Sequence, residues 1–242
     1  MIKKDNIYKK GNFNDLPFSF NKEVAEVFDD MIDRSVPGYI SSLRLIQHIT
    51  NKYFQENTNC YDLGCSLGAA TESLFKATEG KEVKIIAFDN SNAMIDSCKY
   101  RYKDQINSGK VQFIEQDIAD VEINNASIVV INFVLQFLDS VKRTSLLKIV
   151  YEGLIRGGKL VISEKIHFES KFRTDVLSKL HHRFKAENGY TAMEISRKRD
   201  ALEGILVTDS ETQHAQRLES IGFKRIRKVM SNLNFMTLVA EK

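Results

Sequence analysis

From residue 18 onward the spacing of apolar positions changes along the chain. Val24, Val27, Phe28 and Met31 recur at three- and four-residue intervals, and Leu43, Ile46, Ile49 and Tyr53 do the same after a Pro37-Gly38 break. These runs predict two helices ahead of any strand. Short apolar runs then take over: CYDLG (60–64), KIIAFD (84–89), VQFIEQ (111–116), SIVVINF (127–133) and KLVISE (159–164), each followed by a helical stretch. Such alternation predicts βαβ units and a parallel sheet with helices on both faces. A polar, helix-prone stretch at about 170–205 is longer than a crossover needs and reads as a helical insertion. Thr208-Asp209-Ser210 opens a further helix that Gly222 stops, and FKRIRKVM and NFMTLVA follow as strands. Too few residues separate those two for a crossover, so they must pair antiparallel. The expectation is one α/β domain over 18–242, a seven-stranded, mostly parallel sheet with one antiparallel strand. Residues 1–17 mix charge and Asn without a period and are expected to form a flexible arm.

Composition narrows the function classes. Of 242 residues, 43% are hydrophobic and 28% charged, the balance of a folded globule. The net charge of +3 is too small an excess to predict direct nucleic-acid binding. No stretch approaches the roughly 18 apolar residues of a membrane helix, and the basic start is not followed by an apolar core, so neither membrane insertion nor secretion is expected. Cys60, Cys65 and Cys98 form no even set and show no metal-ligand spacing, which favours a reducing, cytoplasmic setting and no metal site. His181-His182 gives no metal pair either, because adjacent residues on a helix point apart; both are expected at a surface or interface.

The candidate chemistry sits at strand ends. Asp62-Leu63-Gly64-Cys65-Ser66-Leu67-Gly68 follows the first strand and opens a helix, so small residues let the backbone approach a ligand and free N–H groups face it. Neither GxGxxG nor a Walker GK[ST] motif is present, which disfavours nicotinamide dinucleotides and nucleoside triphosphates. Asp89 ends the second strand, where a carboxylate can accept from two ribose hydroxyls. Asp117 follows the third strand within reach of an adenine amino group, and Asn132 ends the fourth. The thiol of Cys65, near a helix start, is a candidate for a lowered pKa. RIRK at 225–228 alternates along a strand and reads as a solvated face.

This constellation, with its antiparallel tail, resembles the Rossmann-like fold of S-adenosylmethionine-dependent methyltransferases, with Ser66 in place of the central glycine of the first-strand signature. On that reading a conventional methyltransferase acting on a small molecule or RNA, and a non-catalytic cofactor-binding protein, both stay open. The segments DMIDRSVPGY (30–39), YDLGCSLGAAT (61–71), FDNSNAMI (88–95), QFLDS (136–140), SEK (163–165), ENGY (187–190), EISRKR (194–199) and LVTDS (206–210) resemble more narrowly the carboxy-S-adenosylmethionine synthase family, over about residues 18–241. In that family Ser66 is the normal residue. The resemblance implies binding of S-adenosylmethionine or its carboxylated form through Tyr39, Gly64, Cys65, Ser66, Asp89, Asn90, Asp117, Ile118 and Asn132. Cys65 would act there through its backbone alone.

It further implies transfer of a carboxyl group from prephenate to the sulfonium methyl carbon, with release of phenylpyruvate. The hydroxide expelled from prephenate would take the methyl proton, and water exclusion would protect the resulting carbanion. The product would serve a separate enzyme that modifies wobble uridine in tRNA. Arg199 is implied as the catalytic cation, reaching the transferred carboxylate from the neighbouring subunit of a homodimer through a planar two-point fork. Without the resemblance it reads as a solvated arginine on a charged helix.

Overall fold

A computed structural model describes residues 3–9 and 18–242. Two helices lead, α1 (Lys22–Ser35) and α2 (Tyr39–Tyr53). Asn21 starts α1 by accepting the Val24 N–H, and Val24, Val27, Phe28 and Met31 form its buried stripe. Gly38 starts α2 at φ 81°, and a β-carbon there would lie 2.0 Å from Asn232 Nδ2, so the Pro-Gly break is needed for both conformation and space.

The sheet follows as β1 (Thr58–Leu63), β2 (Val83–Asp89), β3 (Val111–Glu115), β4 (Ala126–Asn132) and β5 (Leu154–His167). Between them lie α3 (Ala69–Ala77), α4 (Asn92–Arg101), α5 (Lys103–Asn107) and α6 (Ser140–Gly153). The insertion comprises α7 (Lys171–Glu187) and α8 (Ala192–Ala201), the latter opened by a capping box between Thr191 and Glu194. The tail adds β6 (Asp209–Ser210), α9 (Glu211–Ile221), β7 (Lys224–Asn232) and β8 (Phe235–Glu241).

The main path runs β3-β2-β1-β4-β5-β8-β7, parallel through β5, with β8 antiparallel to both of its neighbours. These are the seven strands and the single reversed strand that the pattern predicts. The order reverses between β1 and β4, which leaves a crevice at the carboxyl edge where α/β sheets of this kind bind ligands. One core packs between the sheet and α6 and α9, around Leu146, Val150, Leu160 and Leu218; another packs against α2–α4, around Ile46, Leu74, Ile85 and Ile128.

Two features depart from expectation. The two-residue β6 pairs with the end of β5 and is too short to carry a period. Its Asp209 accepts from Arg143 and Arg217, each at 2.7 Å, in a charged cluster where Arg143 is almost wholly buried. In addition, residues 3–9 are docked. Asp5 is 1% exposed and accepts from the Tyr190 hydroxyl at 2.6 Å, while Arg34 donates to the Asp5 carbonyl at 2.9 Å and Arg197 to that of Tyr8 at 3.0 Å. Side-chain hydrogen bonds, not a regular element, hold this segment, so no hydrophobic period marks it. The rest of the expected arm, 1–2 and 10–17, lies outside the described residues.

Candidate active site

The carboxyl edge of the sheet opens into a cavity of about 490 Å³, lined by every residue implied for the cofactor except Arg199. The first turn shows why its residues are small. Gly64 has φ 79°, and a β-carbon there would stand 2.5 Å from Val134 Cγ2. Ser66 adopts φ 47°, a left-handed conformation costly for a residue with a β-carbon, and Asp89 Oδ2 holds it by accepting its N–H at 2.8 Å. Asp89 Oδ1 accepts the Ser91 N–H at 2.9 Å. Burial holds the Asp89 carboxyl above its ordinary range against those two N–H groups, which pull it down.

Around this turn, Asn90 and Asp117 are exposed on the rim, and Asp117 accepts the Ala119 N–H at 2.9 Å. Ile118 is buried, and the Tyr39 ring lies 6.2 Å from that of Phe133. Burial, with Asp29 and Asp62 nearby, pushes the Tyr39 hydroxyl well up, so it acts as a neutral hydrogen-bonding group. On the cavity wall, two buried oxygens have no partner among the described residues, Asn132 Oδ1 and Asp62 Oδ1. The other Asp62 oxygen accepts from Thr71 at 2.6 Å, and burial pushes this carboxyl up to about 7. Unpaired buried acceptors at a cavity wall mark where ligand donors would fit. A close backbone approach, desolvated acceptors and an apolar wall suit a nucleoside carrying cationic groups.

Corrections to the sequence reading gather here. The Cys65 thiol is not activated: its hydrogen bond with Cys98 and its burial hold its pKa well above the usual thiol value. His181 is not a surface residue. It is 4% exposed, lines the cavity, donates from Nε2 to the Ser35 carbonyl at 2.7 Å and packs edge-on to Phe235. Burial drives its pKa down to about 3, so it is neutral. Arg199 needs no correction: it lies on the exposed side of α8, its side chain 63% exposed and paired with Asp200, outside the cavity of its own subunit, where the resemblance does not put it. Arg225 and Lys228 in the RIRK run are exposed, as expected of a solvated face. Among the described residues no three His, Cys, Asp or Glu converge on a common point.

Sequence reasoning missed the cations and the loop support. Lys165, Lys185 and Lys198 line the cavity wall opposite Asp62 and Asp89 in charge. Glu164, beside Lys165 on β5, accepts the N–H groups of Val134, Leu135 and Gln136 at 3.0, 2.7 and 3.1 Å, and so fixes the loop that follows β4. Burial pushes its carboxyl up to about 8. Neighbours on a strand point to opposite faces, so one dipeptide supports the loop and supplies the cavity with a cation.

Comparisons with known proteins agree with this geometry. The Methyltransferase domain family matches residues 61–158, from β1 into β5. Among solved structures, magnesium protoporphyrin IX methyltransferase from Synechocystis, with bound SAH, superposes with a TM-score of 0.61 at 15% identity, covering 88% of this chain and 87% of that one. At that identity the likeness establishes the fold. A carboxy-S-adenosyl-L-methionine synthase from Shewanella halifaxensis is 42% identical over 238 residues, covering 98% of each chain. Another, from Yersinia enterocolitica, is 46% identical over 226 residues, covering 93% of this chain and 85% of that one. With identity of this order along nearly its whole length, the chain belongs to the carboxy-S-adenosyl-L-methionine synthase family.

Proposed function

We propose that this protein converts S-adenosylmethionine into carboxy-S-adenosylmethionine in the cytoplasm, with prephenate as the carboxyl donor. The observation that carries the reading is a cavity whose lining joins Asp62 and Asp89, at the ends of β1 and β2, to Lys165, Lys185, Lys198 and a neutral histidine on the side of β5, α7 and α8. A methyl donor to a neutral acceptor needs the acidic groups only. A carboxyl transfer between a cationic cofactor and an anionic donor uses both signs of charge.

The cofactor's ribose hydroxyls suit Asp89, its adenine suits Asp117 and Ile118, and its amino-acid end suits the unpaired oxygens of Asp62 and Asn132. When bound, the cofactor supplies a methyl group acidified by the adjacent sulfonium. Prephenate dianion divides into phenylpyruvate, carbon dioxide and hydroxide. The hydroxide takes a methyl proton to give water, and the methyl carbon's freed electron pair forms the new bond to carbon dioxide. Atoms and charge balance, and no side-chain base is required. The chain's task is to exclude water, and Phe20, Phe28, Phe133, Phe137 and Phe235 provide an aromatic wall for it. The product would then serve a separate enzyme acting on wobble uridine of tRNA.

Arg199 belongs in this reading as a cation given to the partner of a homodimer. Two features support that role: its exposure on α8, and the solvent-facing apolar stripe of Phe172, Val176 and Leu180 at four-residue spacing on α7. The direct test is mass spectrometry after incubation with S-adenosylmethionine and prephenate. A cofactor heavier by one carboxyl group, with phenylpyruvate, is expected. S-adenosylhomocysteine with a methylated acceptor would mean a conventional methyltransferase, and unchanged reactants a binding protein.

A further inference from the structure

Of the four lysines that line the cavity, Lys142 is exposed, whereas Lys165, Lys185 and Lys198 are at least partly buried and form no ion pair with any described residue; Asp5 and Asp30 favour the charge of Lys198 only from a distance. Lys198 is 8% exposed, and its Nζ donates to Ser35 Oγ at 3.1 Å. Lys165 and Lys185 are partly buried, and neither ammonium has a hydrogen bond or ion pair with any described residue. They come from three elements, β5, α7 and α8, so the convergence is built by the tertiary fold. Burial lowers all three, Lys185 to about 7 and Lys198 to about 8, and Lys185 feels the charge of both others. A protein that buries three like charges together pays in stability for a site that only an anion can complete. His181 adds a neutral edge to the same wall, and Phe235 and Phe133 supply apolar surface beside it.

We infer that Lys165, Lys185 and Lys198 form an anion seat within each subunit's own cavity that takes a small dicarboxylate carrying an apolar ring. Three cations around one pocket match two carboxylates better than one, and the aromatic wall matches a ring between them. Prephenate has this chemistry, so the identity of the occupant rests on the function proposed above, whereas the seat rests on the lysines alone. The division of labour follows: the seat holds the donor, and the partner's arginine is left for the carboxyl group in transit.

Isothermal titration of protein loaded with S-adenosylhomocysteine tests the seat, using prephenate and phenylmalonate as probes against wild type, Lys165→Met, Lys185→Met and Lys185→Arg. One prephenate per subunit is expected, weakened about 10- to 100-fold by each methionine, which removes a charge-assisted contact, and largely restored by arginine. Affinity for S-adenosylhomocysteine should stay within about threefold in every variant, since these lysines come from β5, α7 and α8 and the cofactor's acidic partners from the ends of β1 and β2. Because both ammoniums lack partners, the methionine variants should melt no lower than wild type without the dicarboxylate, an outcome a structural role for these lysines would not give. If prephenate fails to bind but phenylmalonate binds in a lysine-dependent way, the seat stands and the donor assignment falls. Should prephenate bind wild type and both methionine variants alike, the seat is refuted and the donor assignment survives. Absence of lysine-dependent binding by either probe also refutes the seat.

Discussion

Asp89→Asn is a sensitive test of how the cofactor is held, because the two carboxylate oxygens have separate duties. Each already accepts one backbone N–H, at 2.8 Å from Ser66 and 2.9 Å from Ser91, and the residue is 9% exposed. The amide keeps one acceptor oxygen and turns an NH2 group toward the other N–H. One buried donor left without an acceptor costs about 1–3 kcal/mol of stability, partly offset because a desolvated carboxylate is no longer buried. For a chain of this size the melting temperature should therefore fall by only about 2–8 °C. The effect on binding is larger. Two hydroxyl contacts to a charged acceptor contribute about 1.5–3 kcal/mol each, of which the amide retains one at neutral strength. The net loss of about 2–4 kcal/mol weakens S-adenosylhomocysteine roughly 30- to 700-fold by calorimetry. Far-UV circular dichroism must report folding, as the chain has no tryptophan for fluorescence. A folded Asp89→Asn protein that binds within threefold of wild type would overturn the assignment of Asp89 to the ribose.

Glu164 is raised to about 8 from its ordinary 4.5, so its contribution to stability is fully present below about pH 4.5 and is lost as the pH rises through about 8. Melting curves of Glu164→Gln between pH 5 and 9 should show a shallower decline than wild type, and an identical slope would exclude Glu164 as its source. Lys185 and Lys198 are depressed to about 7 and 8, so they are charged at pH 6 and largely neutral at pH 9. Dicarboxylate affinity should therefore fall across that interval, with Lys165, His181 and His182 as the neighbouring titratable groups on β5 and α7 and Asp5, Asp30 and Arg34 as the charged groups facing Lys198 from the amino-terminal segment and α1. Binding near pH 8 should also take up protons, measured as a dependence of the calorimetric heat on the buffer's ionisation enthalpy. Mixed dimers of Arg199→Ala and Asp89→Ala subunits should recover one working site in two if the arginine acts across the interface; with both variants folded and dimeric, recovery of nothing would assign it elsewhere.

The strands were legible because burial on both faces leaves unbroken apolar runs, and the glycine-rich turn because its φ and close approach admit few residues. Boundaries blurred where packing, not period, decides. β5 begins at Leu154, ahead of the KLVISE run at 159–164 that marks it in the sequence, and its pairing with β4 shifts register there. The cavity residues Gly64, Cys65, Ser66, Asp89, Asp117 and Asn132 could be read because each ends or closely follows a predicted strand, whereas Tyr39, at the start of α2, came from the family resemblance alone. The lysines could not. Lys198 lies between Arg197 and Arg199 in a helix of weak amphipathy, and only the docking of α8 against Ser35 turns it inward while Arg199 faces out. His181 beside His182 is the same case on α7. A charged helix shows its solvent face in sequence only if its other face is apolar, and here the inward face is polar because it serves a ligand.

The docked amino-terminal segment carries a consequence for how the molecule is made. Asp5 is joined to Tyr190, Phe18 donates its N–H to the Ala201 carbonyl at 3.0 Å, and Arg197 reaches the Tyr8 carbonyl. During synthesis at about 5–20 residues per second, the first residues must wait roughly 10–40 s for those partners to be made. The β1–β4 core can assemble in that time while the cavity still lacks its cationic wall. The amino-terminal segment therefore docks only once α7 and α8 have been made, and a nascent protein that binds cofactor early would do so before it can hold a donor.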